Sequence, residues 1–86
     1  MEGMAVEEVK RLATELRDAA EEIERIKNEL TQGLEGVYWE GQDADTFRSS
    51  WEGEMVPALD KLKSDVAELG ETAERNAAEQ ARVSGS

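Results

Sequence analysis

The sequence predicts an all-α fold, in which two long antiparallel helices form a hairpin that pairs with a second hairpin into a four-helix bundle. Two long runs of apolar residues at helical spacing and a glycine-containing break between them predict the hairpin. The chain of 86 residues is too small to surround both apolar runs by itself. It contains no cysteine and no histidine, which excludes disulfides and the usual zinc ligands. A partner chain is the remaining means of stabilisation.

The first apolar run follows a heptad pattern that predicts a helix over about 4–35. One seam position holds Val9, Leu16, Ile23, Leu30 and Val37, and the other holds Leu12, Ala19, Ile26 and Gly33. A third column contains Ala13, Ala20 and Leu34, and an acidic column across the seam contains Glu15, Glu22 and Glu29. Three apolar columns are typical of a helix that touches two neighbours in a bundle.

The break between the runs covers about 36–42 and contains Trp39-Glu40-Gly41. Glycine permits a positive φ, so the backbone can turn tightly here, while the tryptophan covers the end of the bundle. The following segment, Gln42-Asp43-Ala44-Asp45, has the acidic first turn that is favourable at the start of a helix. We therefore expect a turn that makes the two helices antiparallel.

The second apolar run predicts a helix over about 43–80. Its members are Ala44, Phe47, Trp51, Met55, Leu59, Leu62, Val66, Leu69 and Ala73. Successive steps of four from Phe47 to Leu59 form a stutter, and the ring of Pro57 should clash with the carbonyl four residues earlier, so we expect a kink or a short interruption near 53–57. The apolar pattern weakens after Ala73, and we expect a disordered tail over about 81–86. A second Trp-Glu-Gly begins at Trp51, but the helical register assigns that tryptophan to packing.

Composition excludes several classes of function. The formal net charge of −11 disfavours nucleic acid and anionic lipid headgroups as partners. No apolar stretch approaches the roughly 18 residues of a membrane-spanning helix. The beginning of the chain lacks the basic and apolar regions of a cleavable signal peptide, which predicts a cytoplasmic protein or export by another route.

No residue pattern indicates catalysis, a cofactor or a metal. The carboxylates near Glu21 and Asp43 fall mostly off the apolar stripe, where we expect them to be solvated rather than catalytic. The acidic segment after Gly41 lacks the ligand spacing of a calcium loop. The serines have no histidine to activate them. We predict a binding protein and not an enzyme, with no cofactor.

The chain resembles the W-x-G hundred-residue family, the early-secreted-antigen-like small proteins of type VII secretion. The resemblance is in length, in the two amphipathic helices, in the central Trp39-Glu40-Gly41, and in Ala44 and Phe47 at the opening of the second helix. It implies a virulence-associated protein that dimerises as a four-helix bundle and is exported folded to the medium or cell surface by an FtsK/SpoIIIE-type ATPase. The family's C-terminal signal, a tyrosine with an acid four positions on, does not occur in this chain, whose one tyrosine is Tyr38. Composition suggests an actinobacterial source, and actinobacterial members typically form heterodimers in which the partner carries that signal.

The favoured function is thus a type VII secretion substrate that forms a heterodimer with a related W-x-G protein; a homodimer stays open. Trp39, Glu40 and Gly41 are the predicted recognition turn. The predicted bundle interface consists of Val9, Leu12, Leu16, Ile23, Ile26, Leu30, Phe47, Trp51, Leu59, Leu62, Val66 and Leu69. The alternative is an intracellular helical adaptor or scaffold protein that is not secreted. A membrane-active effector is disfavoured by the acidity and the absence of a long apolar face.

Overall fold

The computed structural model describes residues 5–85 and is an antiparallel helical hairpin. Helix α1 covers Val6–Gly36, helix α2 covers Gln42–Ser50, a π-helical turn covers Trp51–Met55, and helix α3 covers Val56–Gly85. We call the continuous unit of α2, the π-helical turn and α3 the second arm. It packs along α1 to give a rod of 65 × 18 × 14 Å. The predicted all-helical fold with two long helices packed against each other is confirmed.

The ends of the helices differ slightly from the predicted ones. The predicted start near residue 4 lies outside the described residues. The second arm begins one residue early, and it stays helical to Gly85, which corrects the predicted end near 80 and the disordered tail over about 81–86. Ser86 lies outside the described residues. Alanine has the highest helix propensity, and Ala77, Ala78 and Ala81 carry the helix past the weak apolar pattern. Ala77 is also fully buried against α1.

Small residues fill the contact between α1 and the second arm. The buried positions among the described residues are Ala13, Ala20, Ala44, Trp51, Gly70 and Ala77. A Cβ atom placed on Gly70 would lie 3.3 Å from both the carbonyl oxygen of Ala13 and the Cβ of Leu16. The arms therefore approach closely at Gly70, and even a methyl group there would require its neighbours to shift by a few tenths of an ångström. Because small residues make the contact, most of the larger apolar side chains lie outside it.

Charged side chains from both arms line one side of the rod, which we call the back face. Its members are Arg17, Glu24, Lys27, Asp60, Lys63 and Glu74. Lys27 Nζ lies 2.7 Å from Asp60 Oδ1, and Lys63 Nζ lies 3.2 Å from Glu24 Oε1. Arg17 and Glu74 form a third ion pair between the arms. Exposed pairs of this kind add little stability, but they hold α1 and α3 in one alignment.

A π-helical turn covers most of the segment near 53–57 where the sequence predicts a kink or a short interruption. The N–H of Val56 donates to the carbonyl oxygen of Trp51, five residues earlier, so the turn contains one residue more than an α-helical turn. The extra residue absorbs the stutter of the apolar pattern, because a wider turn brings residues four apart closer to the same side of the helix. Trp51 and Val56 both keep right-handed helical angles, so the arm continues without a break.

Candidate functional site

Large apolar side chains lie along the side of the rod that faces away from the ion pairs, which we call the front face. We define it by Leu12, Ile26 and Leu30 of α1 and by Leu62 and Leu69 of α3. Their side chains are 39–58% exposed, although leucine and isoleucine are among the residues most often buried in globular proteins. Five further residues of the predicted interface are half-buried beside them: Val9, Leu16, Ile23, Leu59 and Val66. The hairpin alone thus leaves much of the predicted interface open to solvent.

Two apolar grooves mark the ends of the front face. One groove lies at the closed end of the rod, where the connection joins the two arms. It has a volume of about 370 Å³ and is lined by Leu30, Gly33, Leu34, Val37, Phe47 and Trp51. The groove towards the open end has a volume of about 500 Å³ and is lined by Val9, Leu12, Leu16, Leu69, Thr72, Ala73 and Asn76. Val9, Leu16 and Leu30 share one heptad position, so both grooves lie on the same side of α1. The face can therefore accept side chains of another helical surface at both ends.

Gly41 gives the connection between the arms its shape. Its backbone has φ 116° and ψ 175°, a region that is essentially restricted to glycine. Its carbonyl oxygen accepts a hydrogen bond of 3.0 Å from the N–H of Asp45, the first bond of the second arm. The third position of Trp39-Glu40-Gly41 thus requires glycine because the chain turns here and starts a helix at once.

Trp39 pairs with Phe47 at the closed end of the rod. Their ring centroids are 5.6 Å apart and the ring planes are inclined by 57°, within the range of favourable aromatic pairs. The Trp39 residue is 39% exposed and Phe47 is 50% exposed. Because Phe47 also lines the closed-end groove, the aromatic pair adjoins the front face. The side chain of Glu40 is exposed and makes no hydrogen bond or ion pair with residues 5–85.

Arg48 ties the connection to the end of α1. Its Nη1 donates to the carbonyl oxygen of Trp39 at 2.9 Å, and its Nη2 lies 3.5 Å from the carbonyl oxygens of Leu34 and Val37. A cation at a helix C-terminus is favourable, because the last carbonyls lack partners within the helix. Sequence reasoning missed Arg48. The available signal was that α1 has no basic residue in its own last turn.

Trp51 has a different role from Trp39, although both begin a Trp-Glu-Gly. Trp51 is 8% exposed, and its Nε1 donates to Thr31 Oγ1 of α1 at 3.0 Å. The side chain therefore holds the two arms together and forms one wall of the closed-end groove. This agrees with the packing role that the helical register predicts. The hydrogen bond to Thr31 was not predicted, since it joins residues 20 positions apart.

Within residues 5–85, no group of three or more acidic side chains is arranged to hold a metal ion. No helix in the same part of the chain has the length and apolar composition needed to cross a membrane. Comparisons of the chain with protein-family models, with curated proteins and with solved structures find no match. The front face and the connection at Trp39–Gly41 are therefore the features from which a function is inferred.

Proposed function

We propose that this protein is a non-catalytic hairpin that pairs through its front face with a related W-x-G hairpin into a four-helix bundle. The pair would then be exported folded as a type VII secretion substrate. One observation carries the pairing: the hairpin buries mainly small residues inside, while Leu12, Leu30 and Leu69 are each about half-exposed on one face. A second amphipathic hairpin is the partner that covers such a face along its whole length.

The size of the front face suits a stable pair. A face of a rod 65 Å long and 18 Å wide can bury the ~800 Å² per partner that is usual for a specific interface. Fully burying a leucine or isoleucine contributes roughly 1.5–3 kcal/mol, and a half-exposed side chain contributes about half of that. Association opposes this gain through lost translational and side-chain freedom. Several front-face residues must therefore be covered together, as a partner running along the rod would do.

The connection at Trp39–Gly41 supports the export part of the proposal. Trp39, Glu40 and the 88%-exposed Tyr38 lie at the closed end, where bundle packing leaves them accessible to a third protein. In this proposal the partner carries the tyrosine-acid signal, and an FtsK/SpoIIIE-type ATPase binds the completed pair. Such a pair is a heterodimer.

Pairing is tested by mixing the protein with a candidate W-x-G partner and measuring molecular mass by sedimentation velocity. We expect a one-to-one complex that Leu69→Glu disrupts. The matched control is Ala78→Glu, because Ala78 is exposed on the same helix but lines a groove with Lys10 and Glu74, away from the front face. Equal loss of pairing in both variants would contradict the front-face assignment.

Export is tested by comparing the culture medium of cells with and without the type VII ATPase. We expect the protein in the medium only when both the ATPase and the partner are present. Retention in the cell under all conditions would favour the alternative, an intracellular helical adaptor.

A further inference from the structure

A row of glutamates borders the front face along α1, and we call it the acidic rim. It consists of Glu8, Glu15, Glu22 and Glu29, at intervals of seven residues. In the helix, Glu15 lies one turn from Leu12, and both Glu22 and Glu29 lie one turn from Ile26. The side chains of Glu22 and Glu29 are 52% and 63% exposed, so they are available to a partner on the front face.

Only part of the acidic rim is neutralised within the chain. Arg25 pairs with Glu22, and its Nη1 lies 2.7 Å from Glu29 Oε2. Among the described residues, no cation pairs with Glu8 or Glu15. Arg25 itself is set back from the front face, on the far side of the glutamates. The edge nearest the exposed leucines therefore carries net negative charge.

The opposite edge of the front face, along α3, carries no net positive charge. Asp65 lies one turn from both Leu62 and Leu69, and it is already paired with Lys61 at 2.9 Å. Thr72, one turn beyond Leu69, is uncharged, and Arg75 Nη2 lies 3.5 Å from its Oγ1. Glu79, one turn beyond Arg75, balances that cation. If a second copy of this chain covered the front face, the acidic rim would meet either another acidic rim or this neutral edge. Each copy also has a formal net charge of −11.

We infer that the partner of the front face is a hairpin whose own apolar face is bordered by a row of lysines or arginines, and not a second copy of this chain. This inference rests on the proposed pairing function and specifies the partner. Charges at the edge of an apolar interface determine mainly which partner is accepted and how fast it binds. The front face supplies affinity to many helical partners, and the acidic rim selects the cationic one among them.

The variant E15K/E22K/R25E/E29K provides a partner of the inferred charge without knowledge of the natural one. It reverses most of the acidic rim and keeps the ion pairs among positions 22, 25 and 29 with their signs exchanged. Wild type is mixed with a labelled sample of this variant, and dissociation constants are measured by fluorescence-detected sedimentation at low salt. We expect the mixed pair to bind roughly tenfold or more tightly than wild type binds itself. In 1 M NaCl the Debye length is about 3 Å, and the difference should largely disappear.

The matched control is E21K/E71K, which changes the net charge by the same amount. Glu21 and Glu71 are exposed on the side of the rod away from the front face; Glu71 lies seven residues before Ala78, which lines the groove with Lys10 and Glu74. Mixed pairing of wild type with this control should be no more than about twofold tighter than self-pairing. If both variants strengthen mixed pairing equally, total charge and not the acidic rim determines the partner, and the inference is wrong.

Two other results separate the inference from the proposed function. If wild type binds itself as tightly as it binds the reversed variant, the partner inference fails while pairing through the front face stands. If no mixture associates at micromolar concentration, although circular dichroism shows that every variant is helical, the pairing function itself fails. Tighter mixed pairing that is lost when the reversed variant also carries Leu69→Glu supports both.

Discussion

The back face and the front face of the rod are built from different kinds of residue. On the back face, Lys27 and Lys63 lie within 3.2 Å of acceptors on the opposite arm, so the charged groups find their partners within the chain. On the front face, Leu30 and Leu69 are 51% and 58% exposed and have no covering layer. The hairpin is thus complete on one side and incomplete on the other. The difference indicates that alignment of the arms is encoded within the chain, whereas the proposed partner would supply much of the remaining stability.

The closed end joins these two regions. Trp51 is buried between the arms, and Trp39 lies half-exposed in the connection. The two copies of Trp-Glu-Gly therefore differ: Trp51 packs inside the hairpin, and the proposed recognition role falls to the exposed Trp39. Substitutions that affect one role and spare the other test this division, and the following are ordered from the largest expected effect to the smallest.

Trp51→Ala should have the largest effect on the free energy of unfolding. It removes a buried ring and the hydrogen bond to Thr31, and truncation of a buried tryptophan costs about 3–5 kcal/mol. Trp39→Ala should cost only about 1 kcal/mol, because it removes one partly exposed ring and its contact with Phe47. Urea denaturation at one fixed protein concentration measures both, since the proposed pairing would make stability depend on concentration. Equal losses would show that the two tryptophans are not divided in this way.

Gly70→Leu should lower stability by about 2 kcal/mol, because the new side chain would separate the arms at their closest approach. The matched substitution is Gly33→Ala, also inside a helix. A Cβ on Gly33 would meet nothing within 4 Å, so this variant should gain up to about 1 kcal/mol from helix propensity. The midpoint of thermal unfolding, followed by circular dichroism, distinguishes the two. A gain in stability for Gly70→Leu would contradict the close packing of the arms.

Gly41→Ala should cost about 1–3 kcal/mol, because φ 116° with ψ 175° strains any residue that has a Cβ. Gly53→Ala is the control: Gly53 lies in the helical second arm without a positive φ, and nothing lies within 4 Å of its Cβ position. If the two variants have the same midpoint in urea denaturation, glycine at position 41 is not required by backbone conformation.

The helical hairpin could be predicted from sequence because heptad spacing and a glycine-containing break are local signals. Which apolar column of α1 packs against the second arm, and which is left exposed, could not be predicted from sequence. Hydrophobicity ranks leucines ahead of alanines as core residues, yet Ala13 and Ala20 face the other arm while Leu12 and Leu30 are exposed. The close approach at Gly70 decides this, and it depends on the positions of both backbones.

The polar contacts between the arms were also beyond sequence reasoning. Trp51–Thr31 and Lys27–Asp60 join residues that are far apart in the chain, so no local pattern identifies them. One signal was present: Lys27 follows Ala13 and Ala20 in an otherwise apolar column, a position where a lysine requires an acidic partner from the other arm.

The smallest expected effect concerns the back face and depends on pH. Hydrogen bonds from Lys63 and then Lys27 lower the pKa of Glu24 from its usual 4.5. The carboxylate therefore stabilises the folded chain at pH values above 4.5, and this contribution is lost as the pH falls through the lowered pKa. The pKa of Lys27 is raised from its usual 10.5, chiefly by the hydrogen bond to Asp60, so its contribution is present below 10.5 and is lost only above the raised pKa.

Glu24→Gln should consequently lower the melting temperature slightly at pH 7 and have progressively less effect below pH 4.5. Because the front face is untouched, the same variant should still pair with its partner at pH 7. A Glu24→Gln difference that persists undiminished at pH 2 would show that the carboxylate charge is not what aligns the two arms.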